Sequence, residues 1–128
     1  MTFLQTIAFK KYTAIGWYVL IILGSSVPGK KIPEIFKLTP DKLIHCAEYT
    51  GLGFLLLRWF SSEARLSSRM NSAMLTAMVG ALCGMIDELY QHFTPNRTPD
   101  FYDWCLDCVG IALGVAVISY LRRKISWI

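Results

Sequence analysis

Four apolar stretches, at about residues 12–28, 41–60, 71–91 and 101–121, leave this chain few ways to fold. Each is close to the ~20 residues that a helix needs to cross a hydrocarbon layer. In such a layer every backbone polar group must be satisfied within its own segment, so each stretch is expected to be an α-helix. The apolar residues come in these blocks rather than spread along the chain, which argues against a soluble core. Composition agrees: mean hydropathy is +0.42, and charged residues make up 17% of the chain against roughly 25% in soluble domains. A length of 128 residues allows one domain. The expected fold class is all-α, an integral membrane four-helix bundle forming a single transmembrane domain.

Punctuation marks the helix ends. Pro28 and Gly29 close the first stretch, which Thr6 to Phe9 could extend backwards. Thr39 or Asp41 can cap the second, with Pro40 tolerated at its start. Trp59 sits near its far end, as interfacial aromatics do. The third stretch is rich in Ala, Gly, Met and Ser, which let membrane helices approach closely. Thr94-Pro-Asn-Arg-Thr-Pro99 reads as a turn, and Gly110 with Gly114 forms a helix-contact stripe on the fourth stretch. Ser25-Ser-Val-Pro28 lacks a convincing cleavage site, so the first stretch is expected to be retained.

The net charge of +4 does not point to nucleic acid, because most basic residues lie at segment ends, where membrane topology places them. Four spans put both termini on one side. Eight basic residues fall there (Lys10, Lys11, Arg58, Arg65, Arg69, Arg122, Arg123, Lys124), and five on the other (Lys30, Lys31, Lys37, Lys42, Arg97). The positive-inside rule then predicts cytoplasmic termini and a multi-pass protein of the bacterial inner membrane. Of the acids, only Glu63 lies on the cytoplasmic side. Cys46, Cys83, Cys105 and Cys108 fall within the spans and read as packing residues, not a disulfide frame or a zinc motif.

The second stretch begins, the third ends and the fourth begins at the same face, so their polar residues converge there. Asp41, His45 and Glu48 share a stripe, and Asp87 with Gln91, Glu88 with His92 and Asp103 with Asp107 are each four apart. Asp107 lies about 9 Å into its helix at ~1.5 Å per residue, and an intramembrane carboxylate suggests function by default. Seven acids near this face (Asp41, Glu48, Asp87, Glu88, Asp100, Asp103, Asp107) meet only Lys42 and Arg97 as obligate cations. Some must stay protonated, or a divalent metal or a cationic ligand group must neutralise them. The metal remains open, with His45, Asp41 and the acids as mixed nitrogen and oxygen donors, and no cofactor is assigned. Structural pairing of helix ends is the competing reading for the same residues.

Two motifs carry a resemblance. Asp41-Lys-Leu-Ile-His45 with Glu48-Tyr-Thr-Gly-Leu-Gly53, and Gly84-Met-Ile-Asp-Glu-Leu-Tyr-Gln91 with Pro95-Asn-Arg97, Asp103 and Gly110, resemble the signatures of the VanZ-like family of bacterial membrane proteins. Ser25-Ser-Val-Pro28 is similar to the Ser-Ser-x-Pro that closes that family's first span. The resemblance implies a multi-span membrane protein linked to glycopeptide antibiotic resistance, without an established chemistry. Its matching positions are Asp41, Lys42, His45, Asp87, Glu88, Gln91, Arg97 and Asp103. Position 107 departs from the pattern, which usually has Asn there, and adds one more acid.

These observations support two functions. In the first, a membrane enzyme acts on a lipid-linked or cell-envelope substrate. Asp41, His45, Asp87, Glu88 and Asp103 do acid–base work, and Lys42, Gln91, Arg97 and Asp107 bind the ligand. No activated nucleophile stands out, so attack by water or a substrate hydroxyl is expected. In the second, the protein is a non-catalytic envelope binding or shielding protein that affects glycopeptide susceptibility. A transporter ranks below both, because the cytoplasmic half of the bundle offers no continuous polar path. The expected partners are membrane lipids and a lipid-linked or cell-wall precursor, not nucleic acid.

Overall fold

The computed structural model of the protein describes residues 2–3, 6–28, 41–64 and 69–126, with the side chains of Asp41, Arg69 and Met70 outside that description. Thr39, Pro40 and the basic residues of the 30–40 loop also fall outside it. The described residues form four helices and no strand: α1 (Ile7–Ser25), α2 (Asp41–Phe60), α3 (Arg69–Gln91) and α4 (Phe101–Leu121). The protein is an all-α membrane four-helix bundle.

Capping sets the ends. Thr6 accepts the Phe9 amide on its hydroxyl at 3.3 Å, so α1 starts at Ile7 rather than Tyr12 and takes Lys10 and Lys11 into its first turns. Its end comes before Pro28, where the Ser26 amide bonds back to the carbonyls of Ile22 and Leu23. Asp100 caps α4 by accepting the Tyr102 amide at 2.9 Å, one orphan donor of a helix start satisfied by a side chain. Asn96, with φ 58°, lets the 94–97 turn reverse tightly, a conformation Asn tolerates.

Among the described residues, three helices are long and apolar enough to cross a membrane: α1, the Asn71–Gln91 part of α3, and α4. By contrast α2 carries Asp41, Lys42, Glu48 and Arg58. The bundle resolves this by enclosing it. α2 packs against all three other helices, most extensively α4, and buries Tyr49, Leu52, Leu56, Leu57 and Phe60. Large apolar side chains point outward from the others, among them Leu20, Leu23, Met78, Leu89, Leu113 and Val117. Arg58 is thus buried, while the exposed apolar side chains suit contact with lipid.

The α2–α4 contact is backbone to backbone. A Cβ added at Gly110 would stand 2.6 Å from the Cys46 carbonyl, and one at Gly53 would stand 2.6 Å from the Ile111 carbonyl. Only glycine permits that approach. Gly110 lies one turn after Asp107, and Cys46 follows His45, so the contact sets the spacing of those two polar side chains. The alternating helices place the ends of α1 and α3 beside the starts of α2 and α4, at what becomes the acid-rich end. Lys10, Arg58 and Arg122 gather at the opposite, basic end.

Candidate functional site

Helical spacing brings the polar residues inward at the acid-rich end. His45 on α2 is buried, with Nδ1 3.1 Å from Oδ1 of Asp107 on α4 and 3.9 Å from Oε1 of Glu88 on α3. Three helices therefore meet at one imidazole. Asp87 and Asp107 have no exposed surface, and Glu88 and Asp103 are 7% exposed each. Asp103, Glu88 and Asp107 all lie close enough for their charges to act on His45. One imidazole offsets at most one of these four acids, and crowded carboxylates need a counter-charge or protons.

The oxygens divide into satisfied and orphaned. Glu88 Oε2 accepts the Asp100 amide at 3.1 Å. Tyr49 donates its hydroxyl towards Asp87 Oδ2 at 3.3 Å, sharing it with the Cys83 carbonyl at 3.3 Å. Glu88 Oε1 and Asp107 Oδ2 are buried with no hydrogen-bond partner. A buried polar atom left unpaired costs about 1–3 kcal/mol, more when charged, so such atoms ask for an explanation. Gly84 helps make the room: a Cβ there would stand 3.0 Å from Asp107 Oδ2.

The remaining sequence-predicted residues sit around this centre. Lys42 lies at the rim, 3.5 Å from Asp100, with both side chains well exposed, and its ammonium also stands 5.3 Å from the Tyr102 ring centroid. Gln91 turns towards α1, donating to Ser25 Oγ at 3.4 Å, and Thr94 donates to the Ser25 carbonyl at 3.1 Å. Arg97 donates from Nε to the Val27 carbonyl at 3.4 Å, and its charge acts on Asp87. Glu48 faces α1 near Gly24 rather than His45. The His92 ring is exposed against Phe93. The four cysteines are free and half-buried. Sequence reasoning missed Tyr49 and Ser25. Tyr49 follows His45 by four residues, so the stripe that selected His45 also contained it.

Beside the centre, a cavity of about 260 Å³ opens between α3 and α4. Met85, Leu89, Pro99, Phe101 and Trp104 give it an apolar lining, with Glu88 and Asp100 as its polar wall. Trp104 is held by its indole N–H donating to the Ala81 carbonyl at 2.9 Å. Met85, Leu89 and Phe101 are also exposed, so the cavity lies on an apolar outer flank of the bundle. Glu88 belongs to both the cavity wall and the buried centre.

Among the described residues, His45, Glu88 and Asp107 offer ligand atoms that all lie within 4.8 Å of one another. A family model described as VanZ/LLP1 matches residues 11–122, most of the chain. No curated protein and no solved structure matches it significantly.

Proposed function

We propose that this chain, which belongs to the VanZ/LLP1 family, is a membrane enzyme acting on a lipid-linked or cell-envelope substrate at the outer face of the inner membrane. The observation that carries the reading is the position of Glu88. It lines an apolar cavity open to the lipid flank and lies 3.9 Å from His45 in a buried polar centre. A lipid tail along Met85, Leu89 and Phe101 would deliver a polar head group to that carboxylate. Ligand sites commonly combine such an apolar lining with a few convergent polar groups.

The division of labour follows from placement. Glu88 and His45, joined to Asp107, are the acid–base pair nearest the cavity, and Asp87 and Asp103 are the further acid–base groups that the reaction depends on. Lys42 and Asp100 form the rim through which a head group would pass. Water or a substrate hydroxyl, activated by a carboxylate, is the attacking group. The excess of basic residues at the end that carries both termini supports a cytoplasmic position for them.

A photo-crosslinking residue at position 89 tests the reading in cells. The expected result is a lipid adduct in the native protein, and a change in the extracted envelope lipids that disappears in Asp87→Ala and Glu88→Gln. Full function in a stably inserted Asp87→Ala protein would sink the enzyme reading. Adducts with unchanged lipids, and only graded loss in Arg97→Ala, would favour the binding and shielding role.

A further inference from the structure

We propose that His45, Glu88 and Asp107 form a binding site for one divalent first-row metal ion, with Zn²⁺ the best-fitting ion. The inference rests on the reading of the acid-rich end as a ligand site, and it names what neutralises that site.

The geometry comes first. Two ligand atoms that each stand ~2.0–2.2 Å from one ion lie about 3–4 Å apart over ordinary coordination angles. His45 Nδ1 is 3.1 Å from Asp107 Oδ1 and 3.9 Å from Glu88 Oε1. All three ligand atoms lie within 4.8 Å of one another, so side-chain adjustments suffice to close them on a common centre. The ligands come from three helices, and the Gly110 contact holds two of them at a fixed distance.

The orphaned oxygens are the second observation. An ordinary histidine–carboxylate pair would satisfy Asp107 Oδ1 and leave Glu88 Oε1 and Asp107 Oδ2 without a hydrogen bond, as they are here. A cation satisfies both carboxylates at once. Glu88 is also prepared for the role. Its Oε2 is fixed by the Asp100 amide, which aims Oε1 at His45, and such outer-shell bonds orient metal ligands. Tyr49 anchors Asp87 beside the centre in the same way.

The donor set narrows the ion. One imidazole and two carboxylates suit Zn²⁺ and its first-row neighbours better than Ca²⁺, which takes 6–8 oxygens, or Mg²⁺, which retains several waters. Three protein ligands leave a position for water or substrate, the pattern of catalytic rather than structural zinc. The cavity beside Glu88 gives that position access from the lipid flank.

The test uses the full chain in nanodiscs of phosphatidylethanolamine and phosphatidylglycerol, stripped with chelator and titrated separately with Zn²⁺, Mn²⁺, Mg²⁺ and Ca²⁺. The expected result is one equivalent of Zn²⁺, bound at least about 100-fold more tightly than Ca²⁺. Glu88→Gln and Asp107→Asn should each weaken Zn²⁺ at least about 100-fold while helical content is unchanged. A variant with all four cysteines replaced by alanine should bind as the native chain does. X-ray absorption of the unmutated protein guards against misfolded variants: it should show nitrogen and oxygen neighbours at ~2.0–2.2 Å with one imidazole. Sulfur neighbours, or no uptake by the native chain, would overturn the site. The two readings fail separately. Lipid conversion by a native chain that takes up no Zn²⁺ overturns the metal site and leaves the enzyme standing. Tight Zn²⁺ binding with full function in Asp87→Ala removes the enzyme and upholds the metal site.

Discussion

At the basic end, Lys10 donates from Nζ to Ser62 Oγ at 2.8 Å, and Arg122 reaches both Ser61 Oγ and the Leu57 carbonyl. The two serines donate their own hydroxyl protons back to the α2 backbone, so their lone pairs are free to accept from the cations. Arg58 stands over the Phe9 ring at 5.8 Å. Buried cations here meet neutral oxygens and aromatic faces within the fold. At the acid-rich end, four buried carboxyls face one imidazole, and Glu88 Oε1 and Asp107 Oδ2 accept no hydrogen bond. The first arrangement binds its cations to acceptors of the fold and holds α1, α2 and α4 together. The second leaves Glu88 Oε1 and Asp107 Oδ2 without a hydrogen bond. The two ends thus differ in what their buried charges meet: serine and backbone oxygens at one, an imidazole and other carboxyls at the other.

Substitutions at the two ends should therefore behave differently. The largest effect is expected from Gly110→Leu, because its new side chain would run into the Cys46 carbonyl, which cannot move aside. Overpacking of this kind costs about 3 kcal/mol, and thermal unfolding in detergent should show it together with loss of Zn²⁺ binding. Glu88→Gln comes next. Its amide oxygen can still accept the Asp100 amide, so the metal-free protein should unfold at or above the native temperature. The roughly 2.7 kcal/mol of stabilisation expected from ligand at 100 times its Kd should vanish. Ser62→Ala is the opposite case. Removing the acceptor of a charged donor should cost about 2 kcal/mol, with cation affinity unchanged by titration. The smallest effect belongs to Lys42→Ala. Its pair with Asp100 is 51% and 41% exposed, and such pairs contribute about 0–1 kcal/mol. A large loss of stability there would break the contrast between rim and centre.

Much of this was legible in the sequence, for a physical reason. Apolar block lengths dictate helices, short turns dictate alternation, and alternation puts Asp87, Glu88, Asp103 and Asp107 beside His45. Spacing alone was less able to say which side of α2 each residue takes. His45 and Glu48 are three apart, about 60° around a 3.6-residue helix. In a narrow bundle that rotation sends one to α4 and the other to α1. The start of α1 was obscured because Lys10 and Lys11 read as flanking charge, while the Thr6 cap carries the helix past them. The cavity was illegible, since it depends on how Trp104 docks on Ala81, a tertiary contact without a local signature. The enclosure of α2 follows from the same logic: its charges make it the helix with most to lose from facing lipid.

The contrast between the two ends is tested most directly by the thermal unfolding of Asp107→Asn beside the native chain, each with chelator and with Zn²⁺. If the acid-rich end is kept for a ligand, the chelated variant is at least as stable as the native protein, and Zn²⁺ stabilises the native protein alone. A chelated variant that unfolds well below the native protein, with Zn²⁺ moving neither, would show that these carboxylates hold the bundle together as the basic end does.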